Sequence, residues 1–275
     1  MSKTPLYLVP FDFSEVSDSA LRLALDLAEA NSGRVTMLHI TKKDADKKEA
    51  RKKFEELMKE LTPQEQALSE TKVITGSLFE DMGKAAHLLS ASLIVMGTHG
   101  AHGMQKVFGS NAVKMISNTS APLLITQGKK TVEKIKNIVM PFSFAKESIQ
   151  ISTFAGSIAQ KFNATIHLVG FHDKDEWLEG HTRTNQKIVR QLLTDNNIKH
   201  EIVNLSKKES YEKELMDYSA SVDADLIAAA YFKEGIMPSP NSFIQIIIEN
   251  ELQIPLLTVN SEELSVTSGM SFMTV

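Results

Sequence analysis

The segment SLIVMGTHGAHGMQKVFGSNAVKMI, residues 92–116, runs from an apolar stretch through a glycine-rich connection into a helical pattern. An uninterrupted apolar stretch is typical of a strand buried on both faces of a parallel sheet. Four glycines follow it: Gly97, Gly100, Gly103 and Gly109. Glycine permits positive φ angles and a close approach of the backbone to a ligand. The segment therefore predicts a strand, a glycine-rich loop and a helix.

Ser110 stands where this helical pattern begins, so its hydroxyl and the first free N–H groups lie at the positive end of a helix. Such a helix end binds phosphate without any catalytic residue. A flexible surface loop followed by a helix cap explains the same residues equally simply. Both interpretations stay open on this segment alone.

Working outward, the residues before this segment alternate between short apolar strands and amphipathic helices. After the apolar run LYLVPF, a helix is predicted with Ser14 as its N-cap and Gly33 at its end. Its apolar positions recur at helical spacing: Ala20, Leu21, Ala24, Leu25 and Ala28. Four further strands alternate with helices up to PLLITQ. This alternation predicts a parallel sheet with helices on both faces, joined by right-handed crossovers.

The same order of landmarks occurs twice in the chain. Pro10 corresponds to Pro141, 131 positions later, and GRVTMLHI corresponds to ATIHLVGF at the same displacement. Leu93 is answered by Leu226, 133 positions later. APLLITQ and IPLLTVN follow at that second displacement. Four landmarks in one order indicate an internal duplication.

The duplication predicts two domains and a tail, with boundaries at residues 1–128, 134–260 and 261–275. Each domain would contain a doubly wound parallel sheet of five strands. The expected fold class is therefore α/β, with two tandem Rossmann-like sheets in one chain.

Composition excludes several classes of protein. The 275 residues are 42% hydrophobic and 23% charged, as in a soluble globular protein, and the net charge of −4 argues against a nucleic-acid partner. The chain has no cysteine, which excludes disulfides and thiolate metal sites. No stretch resembles a membrane span or a secretory signal, so we expect no membrane partner and a cytoplasmic location.

Three catalytic or metal-binding motifs fail on inspection. GSLFEDMGKA hints at a P-loop, but six residues separate Gly76 from Gly83 where four are needed. HGAHG does not match the H-x-G-H of adenylyl-transferring enzymes. His99 and His102 lack a nearby cysteine or carboxylate to complete a metal site. We therefore assign neither catalytic nor metal-binding residues.

Asp12 directly follows the first predicted strand, in VPFDFS. In doubly wound sheets, ligands bind beyond the carboxyl ends of the strands, where the strand order reverses. Asp12 is placed to serve such a ligand. An aspartate at a helix start also serves simply as a cap. The two roles stay open.

These residues resemble a tandem member of the universal stress protein family over nearly all of both halves. The resemblance is carried by LVPFDFSEVSDSALRLALDLA, MLHI, SLIVMGTHG, GSNAVKMI and APLLIT. The ATP-binding members carry a pattern G-x2-G-x9-G-[ST]. Here Gly97 and Gly100 match its start and Gly109-Ser110 its end, with eight intervening residues instead of nine. Gly103 lies within that shorter run.

The resemblance implies a fold of the adenine nucleotide alpha hydrolase-like type and a site for ATP, or ADP or AMP, with or without Mg²⁺. Asp12, beside Pro10 and Phe11, would meet the adenosine, and Ile40 would pack on the adenine. The implied nucleotide-binding residues are Pro10, Phe11, Asp12, Ile40, Met96, Gly97, His99, Gly100, Gly103, Gly109, Ser110 and Asn111. An apolar wall, backbone amides and one carboxylate suit a base, phosphates and hydroxyls.

The second half lacks these features. Its counterparts of Asp12, Ile40, Met96, Gly97, Gly100, Gly109 and Ser110 are Ser143, Phe171, Ala229, Ala230, Lys233, Ser242 and Phe243. None of these counterparts is a glycine or a carboxylate, and two of them are phenylalanines. We therefore predict one nucleotide per chain, in the first domain.

The family also forms dimers through its fifth strand. APLLITQ and IPLLTVN lack the charges that protect an exposed edge, so we expect these strands to pair within the chain as a pseudo-dimer. A homodimer is left open. The function implied is a stress-response protein that binds an adenine nucleotide with little or no turnover. A nucleotide-free interaction module and a slow ATPase or adenylyl transferase are the alternatives.

Overall fold

The computed structural model describes residues 4–98, 108–128, 135–142, 147–171, 175–205, 210–231 and 243–260. For residues 108–111, 147, 171 and 178 it describes the backbone alone. The predicted joint between the halves, residues 129–133, and the predicted tail, residues 261–275, lie outside the described residues.

Strands and helices alternate through the first half of the described chain. Its strands are β1 (Leu6–Pro10), β2 (Arg34–Thr41), β3 (Ser69–Thr75), β4 (Leu93–Gly97) and β5 (Leu123–Thr126). Its helices are α1 (Glu15–Asn31), α2 (Lys47–Glu60), α3 (Pro63–Leu68), α4 (Leu78–Leu89) and α5 (Phe108–Ser117), with a 3-10 turn at Asp44–Asp46. The short helix α3 was not predicted.

The second half repeats this order. Its strands are β6 (Asn137–Pro141), β7 (Thr165–Phe171), β8 (Lys199–Leu205), β9 (Leu226–Ala228) and β10 (Leu256–Thr258). Its helices are α6 (Glu147–Phe162), α7 (Glu176–Asp195), α8 (Tyr211–Ser221) and α9 (Phe243–Ile248).

All ten strands join one sheet, in the order β3-β2-β1-β4-β5-β10-β9-β6-β7-β8. The strands are parallel within each half, and β5 pairs with β10 in the antiparallel sense, with Leu257 opposite Leu124. The predicted α/β class with Rossmann-like strand order is confirmed. The two five-stranded sheets are continuous with each other.

Local sequence explains why α1 forms where it does. The Ser14 side chain accepts a hydrogen bond from the amide of Ser17, and the Ser17 side chain reaches back to the Ser14 amide. This reciprocal pair satisfies two N–H groups that a helix start leaves free. At the other end Ser32 takes the left-handed conformation, with φ 51°, and the Gly33 amide bonds to Ala28. The predicted Ser14 cap is confirmed, whereas the helix ends at Asn31 with Ser32 as its C-cap, just before the predicted Gly33.

Apolar residues fill a layer on each face of the sheet. Successive residues of a strand point to opposite faces, so Leu8 and Val9 belong to different clusters. The cluster of Val9 takes residues from α1, α2, α6 and α7. The cluster of Leu8 takes residues from α4, α5, α8 and α9. Each cluster contains residues of both halves.

Polar contacts also cross between the halves. The Gln127 side-chain amide, which is buried, donates to the carbonyl oxygens of Ile248 (2.7 Å) and Asn250 (3.0 Å). It thereby satisfies carbonyl groups that the end of α9 leaves free. The Ser117 hydroxyl donates to the hydroxyl of Tyr231 at 3.1 Å.

Candidate functional site

A cleft of about 460 Å³ opens at the carboxyl ends of β1, β2, β3 and β4. From β1 the chain adds β2 and β3 on one side of the sheet, and then β4 and β5 on the other side. The strand order therefore reverses between β1 and β4. The cleft is lined by Pro10, Phe11, Asp12, Val16, Ser17, Leu38, His39, Ile40, Lys42, Gly76, Ser77, Leu78, Phe79, Met96 and Gly97. Its volume is within the range of small-molecule sites.

Asp12 is exposed at the mouth of this cleft and helps to order the start of α1. Its Oδ1 accepts hydrogen bonds from the Ser14 hydroxyl and from the Ser14 amide, the latter at 3.1 Å. Ser14 is the residue that caps α1. Both roles foreseen for Asp12 are therefore compatible, because one carboxylate oxygen supports the cap while the side chain lines the cleft.

The residue between them, Phe13, has a left-handed backbone with φ 64°, which side chains other than glycine rarely adopt. Aromatic packing holds it there. Its ring centroid lies 4.9 Å from that of Phe54, 5.0 Å from that of His39 and 5.3 Å from that of Phe11. The Lys53 ammonium lies 5.6 Å from the same ring centroid, within the range of a cation–π contact. This cluster fixes the turn that carries Asp12.

His39, at the end of β2, is a cleft residue that the sequence analysis missed. Its Nδ1 lies 2.6 Å from the carbonyl oxygen of Phe11. A carbonyl oxygen only accepts hydrogen bonds, so Nδ1 carries the proton. The bond ties the end of β2 to the segment that follows β1.

Gly97 ends β4 at a place where α1 passes very close. A methyl group built on Gly97 would overlap the carbonyl oxygen of Val16. Gly97 therefore has a packing role besides lining the cleft, because only glycine lets the helix start approach this strand end.

The structure brings six of the twelve predicted site residues to the cleft: Pro10, Phe11, Asp12, Ile40, Met96 and Gly97. Gly109, Ser110 and Asn111 lie in the first described turn of α5, which the structure describes from Phe108 onward. The first amides of a helix have no partner within it, and this first turn carries no acidic residue. His99, Gly100 and Gly103 lie outside the described residues, as does His102.

The start of α4 borders the cleft. The Asp81 carboxylate accepts a hydrogen bond from the Ser77 amide at 2.7 Å. This bond holds the pKa of Asp81 below its usual value. A negative group of the protein thus already occupies the amide end of α4. Ser77, Leu78 and Lys42 also line the cleft but were not predicted from the sequence. Their positions just after predicted strands were the available signal, because the carboxyl ends of parallel strands meet at one edge of the sheet.

The second half has a tyrosine at the position of Leu78. Leu78 and Tyr211 are counterparts, since each follows the serine that caps α4 or α8. Leu78 is 43% exposed at the edge of the cleft. The Tyr211 hydroxyl instead donates to the carbonyl oxygen of Val169 at 3.0 Å. Val169 is the counterpart of Leu38, which lines the cleft of the first half.

Phe243, at the start of α9, stacks on this tyrosine with ring centroids 5.9 Å apart and an interplanar angle of 22°. Burial raises the pKa of the Tyr211 phenol above its usual value. Phe243 was foreseen as a bulky replacement, but Tyr211 was not. Ser143, Lys233 and Ser242 lie outside the described residues.

Gly83, the second glycine of the rejected P-loop pattern, has a structural explanation. It lies inside α4, and a methyl group built on it would overlap the carbonyl oxygen of Asn118 at the end of α5. This glycine lets two helices touch. Among the described residues, no group of three or more histidine, aspartate or glutamate side chains is placed to hold a metal ion.

Residues 7–127 match the model of the universal stress protein family. The match and the Rossmann-like sheet agree on residues 7–127. The resemblance noted in the sequence is confirmed. A search of curated proteins finds no match to this sequence.

Solved structures show the same fold over nearly the whole chain. A universal stress protein from Archaeoglobus fulgidus DSM 4304 aligns with a TM-score of 0.75 at 17% identity, over 93% of this chain and 98% of that one. A putative universal stress protein from Pseudomonas aeruginosa UCBPP-PA14 aligns with a TM-score of 0.65 at 13% identity, over 97% of each chain. At these identities the likeness establishes the fold alone.

A universal stress protein solved in complex with cAMP matches 46% of this chain and 98% of its own, with a TM-score of 0.37 at 14% identity. So distant a match does not bear on what this chain binds. Among the described helices, none is long and apolar enough to cross a membrane.

Proposed function

We propose that this chain is a stress-response protein that binds ATP, or a related adenine nucleotide, in the cleft of its first half and holds it with little or no turnover. The observation that carries the proposal is a cleft of about 460 Å³ at the reversal point of the strand order, with Gly97, the first glycine of the sequence pattern, in its lining.

The walls of the cleft suit a nucleotide base. Ile40 is half-buried and presents apolar surface at the end of β2, while Leu38 and Met96 line the cleft as buried side chains. A base stacked here would remove apolar surface from water without leaving a buried polar group unpaired.

Polar groups at the mouth suit a ribose and phosphates. Asp12 has a second carboxylate oxygen that can accept a hydrogen bond from a ribose hydroxyl. Lys42 contributes a positive charge at the end of β2. Helix α5, which follows β4 in the chain, has no acidic residue in its first turn, and amides at a helix start favour a phosphate group.

The proposal of little turnover rests on what the described cleft residues can do. Hydrolysis needs a base that activates water or a nucleophile paired with a base. Among the described residues that line the cleft, the candidate bases are Asp12 and His39. Asp12 Oδ1 is committed to Ser14, and His39 Nδ1 is committed to the Phe11 carbonyl oxygen. A slow ATPase remains the alternative, and turnover well above that of Asp12→Ala would support it.

Isothermal titration calorimetry with ATP, ADP and AMP in the presence of Mg²⁺ tests the proposal. We expect binding of one nucleotide per chain. Ile40→Trp should block the base wall, whereas Phe171→Trp, at the corresponding position of β7, should leave the affinity unchanged. Equal losses from both variants, or no heat with any of the three nucleotides, would contradict it.

Mass spectrometry of small molecules released from the purified native protein gives an independent measure. Release of an adenine nucleotide would support the proposal. A protein that carries no nucleotide and binds none in calorimetry would instead be an interaction module.

A further inference from the structure

Helix α8 carries a methionine at the position where α4 carries a glycine. In the first half, Gly83 lets α4 touch the carbonyl oxygen of Asn118 at the end of α5. Met82 of α4 and Leu215 of α8 correspond to each other, and both are fully buried. The next residue of α8, Met216, therefore corresponds to Gly83 of α4. The longer Met216 side chain stands where the two helices of the first half meet.

A groove of about 550 Å³ lies between α8 and α9 at this place. It is lined by Ser210, Glu212, Lys213, Met216, Asp217, Ala220, Ile246, Glu249, Asn250, Glu251 and Leu252. None of these residues lines the cleft of the first half. The groove is therefore separate from the proposed nucleotide site.

Apolar groups form one part of its lining. Met216 and Ala220 come from successive turns of α8. Ile246 is 38% exposed and Leu252 is 42% exposed, on the α9 side. These side chains give the groove a short apolar stripe flanked by polar residues.

Charges along the groove are strongly one-sided. Glu212, Asp217, Glu249 and Glu251 face a single positive residue, Lys213. A partner with positive charges beside an apolar stripe would satisfy both parts of the lining at once.

We propose that this groove binds a basic amphipathic helix of another protein. An amphipathic helix inserts its apolar stripe into a groove between two helices and leaves its lysines and arginines along the rim, where carboxylates steer the encounter. Helix α2 of a second copy is a poorer occupant, because its large apolar residue Phe54 is buried and its outward face is charged.

The probe for the test is a labelled synthetic peptide of about 14 residues, made of leucine and lysine at amphipathic helical spacing. Fluorescence anisotropy at physiological salt measures its affinity for the full chain. A peptide of the same composition, with the order shuffled so that the stripe is lost, is the control for charge alone. We expect the shuffled peptide to bind about tenfold more weakly.

Variants of exposed residues then locate the site. Asp217→Lys with Glu251→Lys should weaken binding about tenfold, and Ile246→Ser with Leu252→Ser should weaken it several-fold. Glu55→Lys with Glu60→Lys, on the exposed side of α2, makes the same change of net charge away from the groove and should have less than a twofold effect. Circular dichroism checks that each variant is folded.

Binding of both peptides with equal affinity, an equal loss in the α2 control, or no binding of the patterned peptide would overturn the proposal.

Discussion

The Tyr211 hydroxyl lies 3.0 Å from the carbonyl oxygen of Val169, whereas its counterpart Leu78 is 43% exposed at the edge of the cleft. Two halves with one strand order thus differ at the carboxyl end of their sheets. The difference arises from the first residue of a helix, a position that a sequence comparison of glycine loops does not examine.

Tyr211 should contribute to stability in two separable ways. Tyr211→Phe removes one hydrogen bond and should lower the free energy of unfolding by about 1 kcal/mol. Tyr211→Ala also removes the stacking on Phe243 and should cost about 3 kcal/mol. Urea unfolding followed by circular dichroism measures both. Leu78→Ala, at an exposed counterpart, should cost under about 1 kcal/mol; a loss as large as that of Tyr211→Ala would contradict the assignment.

Lys42 should distinguish nucleotides from nucleosides. Lys42→Ala removes a positive charge from the cleft, so the affinity for ATP should fall about tenfold while that for adenosine stays nearly constant. Calorimetry with both ligands measures the contrast. Lys43→Ala is the matched control, because the neighbouring lysine is not part of the cleft lining. Equal losses for ATP and adenosine would place Lys42 away from the phosphates.

Gly97 and Gly180 form a matched pair for glycine replacement. Gly97→Ala forces a methyl group onto the Val16 carbonyl and should lower the free energy of unfolding by about 2 to 3 kcal/mol. Nothing lies within 4 Å of a methyl group built on Gly180, inside α7, so Gly180→Ala should stabilise by about 0.5 to 1 kcal/mol. Denaturation of both variants decides the matter; an unchanged stability of Gly97→Ala would remove its packing role.

His167 should make stability depend on pH. This buried histidine of β7 lies 2.9 Å from the Tyr218 hydroxyl and 3.3 Å from Oδ1 of Asn137. Burial lowers the pKa of His167, and Glu201, 3.6 Å away, opposes that shift more weakly.

The unfolded chain therefore binds a proton at higher pH than the folded one, and the contribution of neutral His167 is lost as the pH falls below the ordinary histidine pKa. His167→Thr copies Thr36, the corresponding residue of β2. This variant should show a smaller drop in the urea midpoint between pH 7 and pH 5. An unchanged drop would assign the pH dependence to other groups.

Local features of the fold were predictable from the sequence. The Ser14 cap and the apolar stripe of α1 depend on residues within a few positions of one another, so they could be recognised before the structure. The place of the cleft followed from the alternation of strands and helices. Helix α3 escaped prediction because a single capping box at Thr62 and six residues give little periodicity.

Tertiary relationships were not predictable in the same way. Gly97 was assigned to a ligand, and its contact with Val16 depends on how closely a helix crosses a strand end. Tyr211 was overlooked because its role depends on a carbonyl group 42 positions away in the chain. Glycine and tyrosine have several uses, and only the neighbours supplied by the fold select among them.

The antiparallel pairing of β5 with β10 has a consequence for regulation by concentration. Two separate subunits that meet through such an edge come apart on dilution, and their ratio varies with synthesis and degradation. Here both halves belong to one chain, so they are present in equal number at any protein concentration. The strand edge that would recruit a second molecule is already occupied, so any larger assembly has to form through a different surface.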